Sequence, residues 1–377
     1  MHKQLVPDEL LQKADKILFI THLGIGDFVY MQTFFKVFSQ KYPHIKIDVW
    51  VDEVQRTRCW WRWKNLQNYS LYDWLTTVPF FNKIYTKTYS PETFNNSLAQ
   101  AKNQAYPIVV ALCPIRGHVY AKLARSIAGK CGFAAGLKNK IFFLSLFKRY
   151  RYYKLNATLS ISEVRKLAGN EHHISDVYAV WFSMLLGVET TQAQRAPFVI
   201  IPESWEANAR IVLDALEPDK YVKPDGQLVF INTFAKAAKR CWTIAQAIQL
   251  IKEMKKEKQW KNATFLVNAI PSVLADVKKN VDRECMANVH IFTTDRSFFQ
   301  LSSILSMCSL IVSVETLVVH LGPALGVPVV VLMHQKKTEW VPWNKQLSTI
   351  VMTKKRSQLI KDISVESVNE AIKQRST

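Results

Sequence analysis

Three short stretches of the chain carry side chains able to do chemistry. In the first, Gly24-Ile25-Gly26-Asp27 follows the apolar run Lys16-Ile17-Leu18-Phe19-Ile20 and opens a helical pattern. A strand–turn–helix junction cradles phosphate on free backbone N–H groups when the turn reads G-x-G-x-x-G. Here the third glycine position is Val29, and Asp27 sets an anion where a pyrophosphate would sit. Exposed N–H groups and the helix dipole favour a carboxylate there, so a plain N-cap explains it. The other reading is a general base, held ionised beside a sugar hydroxyl. The two compete, because capping lowers a carboxylate's pKa and weakens it as a base.

The second stretch is "SLIVSVETLVVHLGPALGV", residues 309–327. A strand runs through Glu315 into a helix expected over 316–325, with Thr316 as its N-cap. His320, four residues on, shares the helix face of Thr316. Such a junction suits an anion, to which His320 would add a hydrogen bond. A core histidine on an apolar helix is the plainer alternative. The third stretch, "NTFAKAAKRCW" over 232–242, places Lys236, Lys239 and Arg240 just beyond a strand. Cations there suit a diphosphate and stabilise its departure. A solvated basic loop would read the same way.

Other chemistries lack their residues. There is no D-x-D pair, P-loop, G-x-S-x-G elbow or H-E-x-x-H helix. The His172-His173 doublet has no matching cysteine or carboxylate cluster. Six cysteines (59, 113, 131, 241, 285 and 308) are scattered without C-x-x-C and are expected to be buried, reduced thiols. No metal and no cofactor are expected.

The elements that must position these groups alternate between short apolar strands and longer amphipathic segments, the pattern of parallel α/β sheets. Strands are expected at 16–20, 45–51 and 107–113, with a helix at 28–41. A second alternation gives strands at 228–232, 264–268, 289–293, 309–314 and 328–333, with helices at 242–257, 271–284, 298–307 and 316–325. A chain of 377 residues exceeds one ordinary core. The expected division is a domain over 1–190, a linker over 191–204, a second domain over 205–350, and a terminal helix over 351–377 returning to the first domain. Two doubly wound domains in tandem would face each other across a cleft, with ligand crevices at their strand C-termini.

The net charge of +20 points to a polyanionic partner: nucleic acid, an anionic membrane surface or a charged substrate. Two stretches mix aromatics with cations, "RTRCWWRWKNLQNYSLYDWL" (56–75) and "IFFLSLFKRYRYYK" (141–154). They suit a membrane interface, a lipid-linked sugar or single-stranded nucleic acid, or else a core edge with snorkelling cations. The N-terminus has no apolar signal segment and no run is long enough to span a membrane, so a cytoplasmic protein is expected.

Taken in order, the motifs resemble the bacterial heptosyltransferases of glycosyltransferase family 9. "ILFITHLGIGDFVYM" matches their strand, Gly-Asp loop and helix, and "KYPHIKIDVWV" their Tyr-Pro before the second strand. "HHISDVYAVWFSMLLG" matches their His, Asp and Leu-Gly before the linker. "INTFAKAAKRCW" loosely matches a Lys-x-Trp motif, and "VETLVVHLGPALGVPVVVLM" the closing Asp-Ser/Thr-Gly turn, His and small-residue helix. The resemblance covers roughly residues 15–345.

It implies a GT-B fold and inverting, metal-independent transfer, with acceptor in the first domain and nucleotide sugar in the second. Asp27 would be the base. Donor contacts would fall to Thr233, Lys236, Lys239, Arg240, Glu315, Thr316, Leu317 and His320; the family's ribose-binding Glu is not evident in "FLVNAIPS", where Asn268 and Ser272 are the nearby polar substitutes. The Lys-x-Trp cation is Arg240 if the spacing is kept, or Lys239 if Cys241 is an insertion. Acceptor contacts would fall to His22, Gly26, Arg62, Trp63, Arg116 and His118. The implied donor is ADP-heptose. The implied acceptor is the lipid A–Kdo inner core of lipopolysaccharide, met at the inner face of the inner membrane. The family's last-turn Asp is Glu315 here and its Gly is Leu317, which leaves another nucleotide sugar as an alternative donor. A basic nucleic-acid-binding protein is the alternative of a different class.

Overall fold

Continuous apolar runs, rather than alternating ones, mark the central strands, as expected where helices cover both faces of a parallel sheet. A computed structural model describes residues 4–22, 24–52, 63, 67, 69–139, 150–152, 154–169, 172–216, 227–294, 297–335 and 338–376. The chain divides into two units, Met1–Arg195 and Ala196–Thr377.

The first unit holds β1 (Lys16–Thr21), β2 (Lys46–Val51), β3 (Phe81–Tyr85), β4 (Ile108–Leu112), β5 (Phe133–Lys138) and β6 (Ala157–Ser160). Its helices are α1 (Asp8–Lys13), α2 (Ile25–Lys41), α3 (Leu71–Thr76), α4 (Pro91–Asn103), α5 (Gly117–Ala128), α6 (Ile161–Ala168) and α7 (Ile174–Leu186). The strands are parallel, in the order β3-β2-β1-β4-β5-β6.

The second unit repeats the plan. It holds β7 (Leu228–Asn232), β8 (Thr264–Asn268), β9 (Val289–Phe292), β10 (Leu310–Val314), β11 (Val329–Met333) and β12 (Ser348–Met352). Its helices are α8 (Glu203–Leu216), α9 (Ile244–Lys255), α10 (Leu274–Arg283), α11 (Phe298–Ser306), α12 (Val318–Ala324) and α13 (Val365–Ser376). The order is β12-β11-β10-β7-β8-β9, again parallel throughout. Both are Rossmann-like sheets. The winding reverses between β1 and β4 in one and between β7 and β10 in the other. Those reversal points are where open α/β sheets bind ligands.

Aromatic packing fixes the helix that carries Asp27. Phe19 of β1 meets Phe35 and Phe38 of α2 edge-on, with centroids 5.0 and 5.6 Å apart. Phe182 of α7 stacks on Phe34 at 5.4 Å. All these rings are fully buried, and each stabilises the fold by about 2–3 kcal/mol. Gly187 ends α7 in the left-handed region (φ 63°), where glycine carries no Cβ penalty.

In the second unit the Trp242 indole is buried and donates to the Ile363 carbonyl at 3.0 Å, anchoring the loop before α9 to the segment before α13. The terminal helix α13 packs on α9, β11 and β12 of its own unit.

Candidate functional site

Asp27 occupies the third position of α2, and its carboxylate reaches back to accept the N–H of Gly24, the residue before the helix, at 3.1 Å. The other carboxylate oxygen accepts the Tyr178 hydroxyl from α7 at 2.7 Å. The residue as a whole is half-buried, yet its carboxyl is enclosed. Burial raises its pKa, against the lowering effect of the Tyr178 and Gly24 hydrogen bonds. The expectation that capping leaves a weakened base is therefore corrected: desolvation outweighs the cap.

The reversal point of the first sheet gathers further polar groups. His22 follows β1 and is buried; its Nε2 accepts the Ile115 N–H at 3.4 Å. The Nδ1 atom has no hydrogen-bond partner. Burial, with help from the Arg116 charge, pulls the His22 pKa down to about 4, so the ring is neutral at physiological pH. His22 stacks on Tyr120, with centroids 5.1 Å apart, and the Tyr120 hydroxyl donates to buried Asp52 at 3.1 Å. The Cys113 thiol donates to the Ile20 carbonyl, and burial pushes its pKa up, which makes it inert. Arg116 is the N-cap of α5 in a left-handed conformation (φ 55°) that non-glycine residues rarely adopt. The next residue must be glycine, because a Cβ on Gly117 would lie 2.7 Å from both the Asn139 side chain and the Tyr152 hydroxyl.

Among the other expected acceptor contacts, Gly26 lies in the first turn of α2 and His118 in that of α5, both half-buried. Trp63 is half-buried, and Arg62 lies outside the described residues. Most of the basic aromatic stretches, 56–62 and 141–149 included, also lie outside them. The described edge of the second exposes Tyr150 (58%), with Lys154 Nζ 4.8 Å from its ring. Ile115 (52%) and Val119 (36%) are exposed at the start of α5. The two regions are tied together by hydrogen bonds from Tyr152 to Asn139 and from Asn139 to the Pro114 carbonyl. Arg116, Lys122, Arg151 and Lys154 accompany these apolar side chains in the same segments.

The His-Asp pair of "HHISD" has a structural task. His173 caps α7, with Nδ1 accepting the Ser175 N–H at 3.1 Å, and Asp176 reaches back to the His173 N–H at 2.8 Å. Asp176 also pairs with Arg195 at 2.8 Å. No group of three or more metal-binding side chains occurs among the described residues.

In the second unit a polar ladder crosses the strand ends. The Asn232 amide donates to Ser313 at 2.9 Å and to Thr316 at 3.2 Å, and accepts from Asn268 at 2.9 Å. Arg240 follows on a short 3-10 turn, Ala238–Arg240. Its Nη2 lies 3.1 Å from the Glu315 carboxylate and also donates to the Glu315 carbonyl, so the pair bridges the β7/β10 reversal point. The Cys241 sulfur knits that loop, contacting the N–H and carbonyl of Ala235 at 3.3 Å. A cavity of about 300 Å³ opens there, lined by Lys239, Arg240, Glu315, His334, Arg356 and residues 357–360.

The remaining expected donor contacts do not line this cavity. Lys236 is exposed, and Asn268 and Thr316 belong to the ladder. Thr233 is buried, its carbonyl accepting the Trp242 N–H at 3.0 Å. Thr316 is not the N-cap of α12. The helix starts at Val318 behind Leu317, and the Thr316 hydroxyl instead accepts from the Asn232 amide. His320 is buried, its ring centroid 5.9 Å from that of Trp340. Cys113 and Cys308 are buried free thiols, whereas Cys131 and Cys285 are exposed, contrary to expectation. Among the described residues no helix is long and apolar enough to cross a membrane.

Tyr178, His334 and Arg356 were missed at the sequence level. Tyr178 had a usable signal: a tyrosine in an otherwise apolar helix needs a partner for its hydroxyl. Arg356 ends the run Lys354-Lys355-Arg356, which looks like any solvated basic turn.

Comparison with protein-family profiles and with curated protein sequences finds no match. Comparison with solved structures finds many. The chain is similar to the glycosyl transferase family 9 protein of Veillonella parvula, at 15% identity and TM-score 0.71, over 100% of this chain and 98% of that one. It is similar to E. coli ADP-heptose LPS heptosyltransferase II, at 15% identity and TM-score 0.66, over 96% and 98% of the two chains. E. coli heptosyltransferase WaaC, solved with ADP, matches at 13% identity and TM-score 0.61, over 96% and 99%. With two Rossmann-like units in tandem, the fold is GT-B.

Proposed function

We propose that this chain is a glycosyltransferase of family 9, of the heptosyltransferase kind, working by inverting displacement without a metal. The observation that carries the reading is the enclosed Asp27 carboxyl, held between the Gly24 N–H and the Tyr178 hydroxyl with its pKa raised by burial. A carboxylate of raised pKa is a stronger base than a free one, and two donors fix its direction.

Asp27 takes the proton of an acceptor hydroxyl while that oxygen forms its bond to the anomeric carbon. The bond from that carbon to the phosphate oxygen breaks, the sugar passes through an oxocarbenium-like state, and the nucleoside diphosphate leaves with the electron pair. The cationic cavity of the second unit binds the departing diphosphate. The proposed donor is ADP-heptose, since two similar structures are described with ADP or as ADP-heptose enzymes. The proposed acceptor is the lipid A–Kdo inner core, whose carboxylates and phosphates complement a chain of net charge +20. The proposed location is the cytoplasm, peripheral to the inner membrane. Glu315 and Leu317, which depart from the family pattern, favour a second reading in which the same fold takes another nucleotide sugar.

A thermal-shift panel of ADP, UDP and GDP tests the donor. Stabilisation by ADP alone supports ADP-heptose, and stabilisation by UDP or GDP alone transfers support to the second reading. Transfer to a lipid A–Kdo acceptor tests the rest. If Asp27→Ala, still folded, transferred sugar at the normal rate, Asp27 would not be the base.

A further inference from the structure

The cavity in the second unit holds a cation that the family motifs do not point to. Lys239, Arg240 and Arg356 line it against the carboxylate of Glu315, leaving a formal excess of positive charge suited to a diphosphate. The two arginines differ in how they are held. Arg240 is engaged by its own unit: its Nη2 contacts both the Glu315 carboxylate and the Glu315 carbonyl. Glu315 is buried, so the attraction is weakly screened and Arg240's charge is largely cancelled where it sits.

Arg356 stands in the loop after β12, is exposed, and has no ion-pair partner among the described residues. Its loop is nonetheless fixed. The Lys355 N–H donates to the Gln358 side chain at 2.9 Å, and the Gln358 N–H donates back to the Lys355 carbonyl at 3.1 Å. That reciprocal pair closes a turn across Arg356 and Ser357. Just beyond it, the Leu359 N–H donates to Asp362 at 2.7 Å and Ile360 is buried in the core. A guanidinium with no ion-pair partner among the described residues, carried on an ordered turn, suits bidentate recognition of phosphate oxygens.

We propose that Arg356 is the cation that takes the diphosphate of the nucleotide donor, and that Arg240 is a positioning residue whose pairing with Glu315 shapes the cavity. The proposal rests on reading the second unit as the donor-binding one.

Calorimetric titration of the full chain with ADP, UDP and inorganic pyrophosphate tests it. Arg356→Ala weakens whichever probes the wild type binds by about tenfold or more, with an unchanged melting temperature, as befits an exposed side chain. Arg356→Lys, which keeps charge without the fork, falls in between. Wild-type affinity in Arg356→Ala overturns the assignment while leaving the donor reading standing. If the wild type binds none of the three probes, the donor reading falls and this assignment falls with it.

Discussion

The Tyr178 hydroxyl lies 2.7 Å from the Asp27 carboxylate, joining residues 151 positions apart through the packing of α7 on α2. The bond opposes the burial that raises the Asp27 pKa. Tyr178→Phe removes that opposition, so the pKa climbs further. As the proposed base Asp27 works ionised, so the rising limb of kcat/KM against pH moves to higher pH in this variant. Loss of a hydrogen bond to a charged group also costs about 1.5–3 kcal/mol. A pH–rate profile that superimposes on the wild type's would remove Tyr178 from the base's surroundings.

In the proposed reaction Asp27 trades stability for function. Its folded pKa is raised, so the folded state binds the proton more tightly than the unfolded chain does. Its contribution to stability is present below the ordinary carboxylate range and is lost as pH rises through the raised value. Asp27→Asn removes the penalty. Its Tm at pH 8 should exceed the wild type's, while transfer falls by about 100-fold or more. Scanning calorimetry beside a transfer assay reads both.

His22 has the opposite pH signature. Its folded pKa is lowered to about 4 from 6.5. Its contribution is fully present above pH 6.5 and is lost as pH falls toward 4. At about 1.4 kcal/mol per unit, the loss is about 3 kcal/mol. Denaturant titrations between pH 7 and 4 should show the wild type losing that much more than His22→Gln. Parallel curves would mean the ring is not desolvated.

The resemblance of "HHISD" to a family motif tempts a catalytic reading, but the geometry makes it a cap. Asp176→Ala loses the bond to the His173 N–H and the ion pair with Arg195. Urea unfolding should register a loss of about 1–2 kcal/mol, with nucleotide affinity unchanged. A weakened nucleotide would point to a role beyond the helix start.

Membrane association is checked by sedimentation with anionic vesicles. Ile115→Ser combined with Tyr150→Ser removes exposed apolar surface near the Arg116, Lys122, Arg151 and Lys154 cations. Vesicle binding should drop several-fold, and the binding that remains should still weaken as salt rises, since the screened electrostatic part is kept. Unchanged binding would place the contact elsewhere.

The legible parts of the sequence were those where both faces are buried. Strands 228–232 and 264–268 were located to the residue, because LVFIN and TFLVN are apolar runs ending at a polar residue. Edge strands β3 and β12 escaped notice: FNKIY and STIVM are largely half-exposed, and their composition follows one-sided packing. Residues 133–138 escaped because Ala and Gly carry little strand signal, yet they pack tightly in the sheet. In the candidate site, Asp27 and Arg240 are legible because local turns place them. Tyr178 and Arg356 were not, because their neighbours are set by tertiary packing and by a loop from the far end of the sheet.

The repetition of one winding order in two separate stretches of chain bears on biosynthesis. Among the described residues, every strand of the first sheet is encoded before residue 161, and the first strand of the second begins at Leu228. Neither sheet borrows a strand from the other. Parallel sheets close slowly, because their contacts are distant in sequence. During translation the earlier half can complete its pairing while the later half is still leaving the ribosome. Vectorial synthesis thus keeps unpaired edges of the two sheets from being exposed at the same time, shortening the interval in which one could template onto the other.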